Sequence, residues 1–336
     1  MEKEALFYEK KEGNFVRCFL CSHYCRIAEG DSGFCRVRRN AGGMLKTMVY
    51  GEAVAANVDP VEKKPLYHFL PGSRAYSIGT PGCNFHCGFC QNWQISQAAA
   101  GAAGGLSGRE LMPEAAVENA RRFNCASIAY TYTEPTIFFE YAFDTARLAS
   151  ENSMRNVFVT NGYITAPALD YIKPYLDAAN VDLKSFREGY YKKNCEARLK
   201  PVLKSIEYMR KLGIWIEVTT LVIPGENDST EELKDIAQFI ASAGMEIPWH
   251  ISRFHADYKF TEYDSTPSAT INAAMAIGRE AGLKYVYAGN VGADSSIKCP
   301  GCERSAVERG FSGGLRINLK NGKCAFCGAE IEGVWE

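Results

Sequence analysis

The sequence predicts an α/β protein: a parallel sheet of repeated strand-helix units, flanked at both ends by cysteine-rich segments. Three observations carry that expectation. From residue 75 onward, short β-branched runs alternate with amphipathic stretches of helical period, the pattern of strands joined by crossover helices. Eleven of the thirteen cysteines fall into three groups, one at each end and one just after the first expected strand. The 336 residues, 46% hydrophobic and 23% charged, suffice for about two domains and exclude a disordered, collagen-like or coiled-coil chain.

In chain order, residues 1–70 read as a cysteine- and turn-rich metal-binding segment, with Gly30, Gly33, Gly42 and Gly43 around the thiols. Strands are expected at 75–78, 127–132, 156–160, 179–183, 215–222, 248–254 and 285–288, a set that suits either a barrel or an open sheet. Between them, one helix runs to Leu212 and stops at Gly213. Ser229 with Glu232 reads as a capping box, and Leu233, Ile236, Ala237 and Ile240 then follow one apolar face. Thr266 and Pro267 are expected at the N-cap and first position of the next helix, with Gly282 ending it. The core thus spans 71–295, and 296–336 form a separate C-terminal module with two C-x-x-C knuckles. The alanine- and glycine-rich stretch 98–105 reads as a mobile loop.

A net charge of -1 supplies no general attraction to nucleic acid or an anionic membrane. No apolar run approaches the ~20 residues of a membrane span, and residues 1–13 are too charged for a signal peptide. A cytoplasmic protein without membrane or indicated nucleic-acid partners is expected. Thiols there stay reduced, so the grouped cysteines are read as metal ligands, while Cys125 and Cys195 are taken as incidental buried thiols.

Cys83, Cys87 and Cys90 form C-x-x-x-C-x-x-C on the loop after the first strand, behind the turn Gly79-Thr80-Pro81-Gly82. In parallel sheets ligands bind at the carboxyl ends of the strands, where this loop lies. A fully ligated electron-transfer cube takes four cysteines; three leave one iron open to an exchangeable ligand. The competing readings are a Cys3His zinc site using His86, or three unrelated thiols. The adjacency of His86 and Cys87 weighs against zinc.

The stretch Cys83-Asn84-Phe85-His86-Cys87-Gly88-Phe89-Cys90, with aromatic Phe89 before the last cysteine, resembles the signature of radical S-adenosylmethionine (SAM) enzymes. Residues 60–73 and 83–97 resemble one subgroup, the radical enzymes of the so-called AmmeMemoRadiSam system, which are related to pyruvate formate-lyase activating enzymes. The resemblance reaches the N-terminal cysteines and the C-terminal knuckles. It implies a partial (β/α)6 radical SAM barrel whose three cysteines hold a 4Fe-4S cluster. The open iron would bind the methionyl group of SAM, and reductive cleavage would yield a 5'-deoxyadenosyl radical that abstracts hydrogen from a substrate. An electron donor such as flavodoxin or ferredoxin is implied, and a protein or other macromolecule as substrate.

The resemblance also assigns contacts at the strand ends. Glu134 matches an acid that receives the methionyl ammonium in a Gly-Gly-Glu of the relatives; the two glycines are absent, and Thr131 and Thr133 are the substitutes. Val159-Thr160-Asn161-Gly162 is similar to an Asp-Thr-Asn-Gly turn, with Val159 in place of the acid and Asn161 retained. Asp182 and Lys184, two apart and so on one face of a strand, match an Asp-Leu-Lys of the relatives and read as SAM contacts or as a mutual ion pair. His255 matches a histidine on the adenosine side, while His250 falls on the opposite face and reads as a packed or surface histidine. Gly289 and Asn290 either close the substrate cavity or turn the chain. Tyr130, Tyr132, Phe138 and Phe139 are expected in the core.

Cys299, Cys302, Cys324 and Cys327 are spaced for one tetrahedral structural zinc, which would make this module zinc-ribbon-like, with a rubredoxin-like single iron as the alternative. Cys18, Cys21, Cys25 and Cys35 fit zinc or an auxiliary cluster, with zinc preferred and His23 as a further candidate ligand. Arg36, Arg38 and Arg39 read as a solvated basic face or a docking point for an acidic partner or RNA. The expected function is that of a radical SAM enzyme. The rivals are the same chemistry on RNA or a small molecule, and a non-catalytic zinc-rich interaction protein.

Overall fold

The computed structural model describes residues 2–98, 108–292, 294–310 and 314–336. Residues 99–105 of the alanine- and glycine-rich stretch lie outside them. All seven expected strands are present: β2 (Arg74–Gly79), β3 (Ser127–Tyr130), β4 (Arg155–Thr160), β5 (Ala178–Asp182), β6 (Trp215–Val222), β7 (Trp249–Arg253) and β8 (Val286–Gly289). They pair in parallel and in consecutive order, and β1 (Ala55–Pro60) adds an antiparallel edge on β2. The main sheet therefore begins inside the segment read as the cysteine-rich end.

Helices connect successive parallel strands: α1 (Pro113–Arg122), α2 (Phe139–Glu151), α3 (Ala166–Ile172), α4 (Leu199–Lys211), α5 (Thr230–Ala243) and α6 (Ser268–Glu280). Strands covered on both faces need apolar runs rather than alternation, and Ile128, Ala129 and Tyr130 of β3 are all buried. The apolar face of α5 packs as expected, with Leu233, Ile236, Ala237 and Ile240 buried. Each large side chain there contributes roughly 1.5–3 kcal/mol by leaving water. Gly213 and Gly282 end α4 and α6 at φ +76° and +91°.

Two helix starts differ from the sequence expectation. Ser229 accepts from the Glu232 amide, but the Glu232 carboxylate turns away and takes the Ser185 hydroxyl and the Phe186 N–H. Pro267 is itself the N-cap of α6. Thr266 instead donates to the Val222 carbonyl and accepts from the Phe254 amide, tying β6 to the end of β7. In both cases a distant backbone group outcompetes the local cap.

The ends are built of short antiparallel pieces. Lys3–Glu4, Met44–Thr47 and Arg38–Ala41 form one three-stranded sheet, and Tyr8–Lys10, Val16–Cys18 and Arg26–Ile27 a second. At the other end Ile297–Lys298, Ser305–Arg309 and Leu315–Ile317 form a third. A buried network joins this module to the amino end of the main sheet, centred on Glu217, His68, His250 and Tyr287. All thirteen cysteines are free thiols. Among the described residues no helix is long and apolar enough to cross a membrane.

Candidate functional site

A cavity of about 410 Å³ opens at the carboxyl ends of the parallel strands, lined by Cys83, Cys87 and Cys90 with Phe89, Thr131, Thr133, Glu134, Asn161, Asp182 and Lys184. The loop carrying the thiols is held by backbone bonds from several sides: Gly82 N to Ile95 O at 2.9 Å, His86 N to Cys195 O at 3.2 Å and Gly88 N to Asn194 O at 3.1 Å. Gly82 sits at φ +93°, where a side-chain β-carbon would come within 2.6 Å of Val37, so the turn into the cysteine loop requires glycine. The Phe85 amide donates to Cys83 Sγ at 3.3 Å, and Cys90 Sγ lies 3.2 Å from Ser96 Oγ.

The electrostatics differ from thiol to thiol. Burial pushes the Cys83 thiol up, and Glu134 and Cys87 add to the effect. Cys87 is held below the usual thiol range by a hydrogen bond from Cys195, with Lys184 acting the same way against the cost of burial. Cys195 is thus no incidental thiol: it backs Cys87 from the segment Tyr191–Cys195, through which the chain hugs the cysteine loop. No sequence spacing pointed to it. His86 is turned away from the three sulfurs, toward Glu196 at 3.2 Å, which removes the Cys3His reading.

Glu134 is buried and caps the short helical turn Pro135–Phe138. Its Oε1 accepts from the Thr136 amide, the Thr136 hydroxyl and the Thr160 hydroxyl; Oε2 accepts from the Asn161 amide at 2.8 Å alone. Burial raises its pKa and these bonds offset part of the rise. One oxygen therefore keeps acceptor capacity toward the cavity. Asn161 also donates to Asn84 Oδ1 at 2.8 Å, and Asn84 Nδ2 is buried with no partner. Thr133 Oγ1 donates to the Thr80 carbonyl at 2.9 Å.

Asp182 and Lys184 do share a face and pair at 2.9 Å, with Lys184 Nζ 5.7 Å from the Phe89 ring. Burial opposes the ammonium, but Asp182 and then the Cys87 and Cys195 sulfurs outweigh it and raise its pKa. His255, by contrast, is exposed beyond the end of β7 and does not line the cavity. His250 is buried against Glu217 Oε2 at 2.6 Å, the packed one of the two positions expected. Asn290 reaches the cavity rim at φ +57°, turning the chain after β8.

Sequence reasoning missed the other wall. Asp59, Lys63 and Lys64, on and after β1, line the same cavity. Lys64 Nζ and the Tyr132 hydroxyl both donate to Asp59 Oδ2 at 2.8 Å. Tyr132 is therefore a cavity residue, not a core one as expected. It sits at φ +66°, unusual for a bulky side chain. Lys63 and Lys64 fall in residues 60–73, but carried no role without knowing that β1 joins the sheet. A larger groove of about 970 Å³ between α6, β8 and the C-terminal module contains none of the expected site residues.

A family model described as the radical SAM superfamily matches residues 77–240. An uncharacterized protein of Methanocaldococcus jannaschii is 44% identical over 335 residues, covering 98% of this chain and 99% of that protein. Residues 77–240 form a domain of the radical SAM superfamily. The fold of the chain is similar to that of a radical SAM methyltransferase from Sphaerobacter thermophilus, with a TM-score of 0.51, 17% identity and coverage of 74% and 72% of the two chains. It is also similar to SuiB of Streptococcus suis bound to S-adenosylmethionine, with a TM-score of 0.51, 12% identity and coverage of 69% and 53%.

Membership in the radical SAM superfamily implies SAM and a 4Fe-4S cluster, and the residues present fit both. Three sulfurs of one loop face a cavity that also holds a carboxylate with spare acceptor capacity and an ammonium.

The end segments of this chain form two different sulfur sites. In the C-terminal one, Cys299 Sγ lies 3.6 Å from Cys327 Sγ and Cys302 Sγ 3.7 Å from Cys324 Sγ. Tetrahedral zinc with Zn–S bonds of about 2.3 Å sets its sulfurs roughly 3.8 Å apart, so this group fits one ion. Cys18, Cys21, Cys25 and Cys35 line a separate small cavity with Arg38. Arg36 and Arg39 are exposed, as a solvated face requires, but Arg38 is buried and holds both oxygens of Glu140 at 2.9 and 3.0 Å. That corrects its reading as a surface residue.

Proposed function

We propose that this protein reductively cleaves SAM and uses the resulting 5'-deoxyadenosyl radical to abstract hydrogen from a protein or other macromolecular substrate, as an activating-enzyme-like member of the AmmeMemoRadiSam group. The single observation that carries the reading is the convergence of Cys83, Cys87 and Cys90 with Glu134, Asp182 and Lys184 on one cavity. In this reading β2 to β7 with α1 to α6 are the partial (β/α)6 barrel.

Cys83, Cys87 and Cys90 would hold the 4Fe-4S cluster, which when bound supplies one electron to the sulfonium. The remaining steps fall to side chains. Glu134 Oε2 accepts from the methionyl ammonium, and Lys184, kept charged by Asp182, pairs with the carboxylate. A charge-assisted bond of either kind contributes roughly 1.5–3 kcal/mol. Thr131, Thr133 and Asn161 present polar groups to the bound ligand, and Phe89 packs behind the loop to keep water out. His255 would have to swing inward with its loop to approach an adenosine.

Zinc at Cys299, Cys302, Cys324 and Cys327 would hold the C-terminal module together, because so small a segment buries little apolar surface of its own. The electron donor would be a flavodoxin or ferredoxin, and the free thiols suit a cytoplasmic setting. The test is anaerobic reconstitution followed by reduction and chromatographic search for methionine and 5'-deoxyadenosine. Their appearance, lost in Cys87→Ala, supports the reading. Their absence from fully loaded, reduced protein with SAM overturns it.

A further inference from the structure

The N-terminal cysteines form a built site that the reaction proposed above does not use. Cys18, Cys21, Cys25 and Cys35 border a cavity of about 20 Å³, room for inorganic atoms but for no organic ligand. Arg38 reaches the same cavity. Its terminal nitrogens are spent on Glu140 and the Leu6 carbonyl, yet Nε is buried with no partner. An unused cationic N–H beside four thiols is costly unless the thiols carry charge. Four thiolates around a metal centre supply it. The Phe34 amide, 3.5 Å from Cys25 Sγ, is a second donor already aimed at a ligand sulfur.

Two occupants suit four thiols, a single ion or a cluster. Among the described residues, Cys299, Cys302, Cys324 and Cys327 are the group whose ligand atoms all approach within 4.8 Å of one another. A single ion draws its sulfurs together, whereas a cube places each thiolate on a different iron.

The site is also wired to the central loop. His23, between Cys21 and Cys25, has Nε2 2.7 Å from the carbonyl of Asn84, the neighbour of Cys83. Its ring stacks on Phe34 at 4.1 Å between centroids, and Phe34 stacks on His86 at 4.2 Å. Phe34 precedes Cys35 and His86 precedes Cys87. Three stacked rings thus join a ligand loop of one site to a ligand loop of the other. Redox-inert zinc would have no use for such a path.

We propose that Cys18, Cys21, Cys25 and Cys35 hold an auxiliary iron-sulfur cluster that receives an electron from a low-potential donor and passes it through the His23, Phe34 and His86 stack to the central site. The donor loses one electron, the N-terminal site gains and then loses it, and the central site is reduced by one. The relay rests on the reading above for its acceptor; the N-terminal metal does not.

The first test is metal and sulfide analysis of the anaerobically reconstituted Cys83, Cys87 and Cys90 triple alanine variant. Retention of about four irons and four sulfides, with a paramagnetic signal on reduction, is expected. Zinc without iron at this site overturns the proposal. Equal iron in the triple variant and the parent would instead count against the central site, leaving the N-terminal one standing. The second test is freeze-quench paramagnetic resonance after mixing with reduced flavodoxin. Phe34→Leu should keep its metal content and melting temperature, yet let the SAM-responsive signal lag several-fold behind the N-terminal one. Phe34→Tyr, which keeps a ring, should restore it. Equal rates in Phe34→Leu and the parent overturn the relay.

Discussion

The two ends of the main sheet both bury charged side chains, but they treat them differently. At the amino end Glu217 accepts from the Tyr67 amide at 3.0 Å, the His68 amide at 2.8 Å, the Trp215 indole at 3.1 Å and His250 at 2.6 Å. His68 in turn spends one nitrogen on the Glu332 carbonyl at 2.7 Å and the other on the Tyr287 hydroxyl at 2.6 Å. At the carboxyl end the Lys184 ammonium hydrogen-bonds Asp182 alone among the described residues, and the Asn84 side-chain amide nitrogen has no partner. A buried charge whose partners are all protein atoms serves the fold. One that borders open volume with bonding capacity left over serves a ligand.

The largest effect should come from breaking the closed end. Glu217→Ala leaves the His250 ring, the Trp215 indole and two amides without their acceptor, and should cost about 3–5 kcal/mol in denaturant unfolding. SAM affinity of the folded fraction should stay unchanged. A milder perturbation of the same end is acid. Burial holds His68 near a pKa of about 4 against an ordinary 6.5. Between those values the unfolded chain binds the extra proton, so stability rises with pH across this window and is complete above it. The His68 contribution is on the order of 3 kcal/mol. Glu217, held below the carboxylate range mainly by His250 against the cost of burial, acts in the same direction. Fluorescence-monitored denaturation at several pH values should show the slope, and His68→Gln should flatten it.

At the open end the readouts should reverse. Lys184→Met should weaken SAM binding by calorimetry about ten- to a hundredfold, while unfolding changes by less than about 1 kcal/mol, because partly exposed Asp182 can turn to water. Glu134→Gln, which keeps the acceptor of its four donors only in part, should lose affinity and some stability together. A loss of stability without loss of affinity in Lys184→Met would assign this pair to the fold and erase the contrast. The smallest effect should be that of Val159→Ile, which adds one methylene at the cavity wall. It should leave both affinity and stability within about 0.5 kcal/mol.

Much of the scaffold was readable from local pattern. Ile128 to Tyr130 announces a strand by β-branched and aromatic content, and Leu233, Ile236, Ala237 and Ile240 announce a helix by period, because these signals lie within one element. The central triplet was equally legible, since its three ligands sit within eight residues. Less legible were groups whose meaning depends on a partner from elsewhere. Arg38 looked solvated beside Arg36 and Arg39, until Glu140, 102 residues away, met it in the interior. Tyr132 read as core because nothing nearby in sequence revealed Asp59 across the cavity, 73 residues away. Cys195 looked solitary for the same reason.

The amino-acid sequence by itself therefore determined the order of strands and helices and the position of the three thiols at the mouth of the sheet. Both follow from short-range periodicity and from the rule that loops after parallel strands gather at one end. Only the tertiary structure decided which buried charges close on each other and which face open space. That depends on long-range approach: Glu217 meets the His68 amide across 149 residues, and the ring stack joins Cys35 to Cys87 through side chains from two separate loops. No local pattern records such distances, because the free energy that favours them is gained only after the whole sheet has assembled.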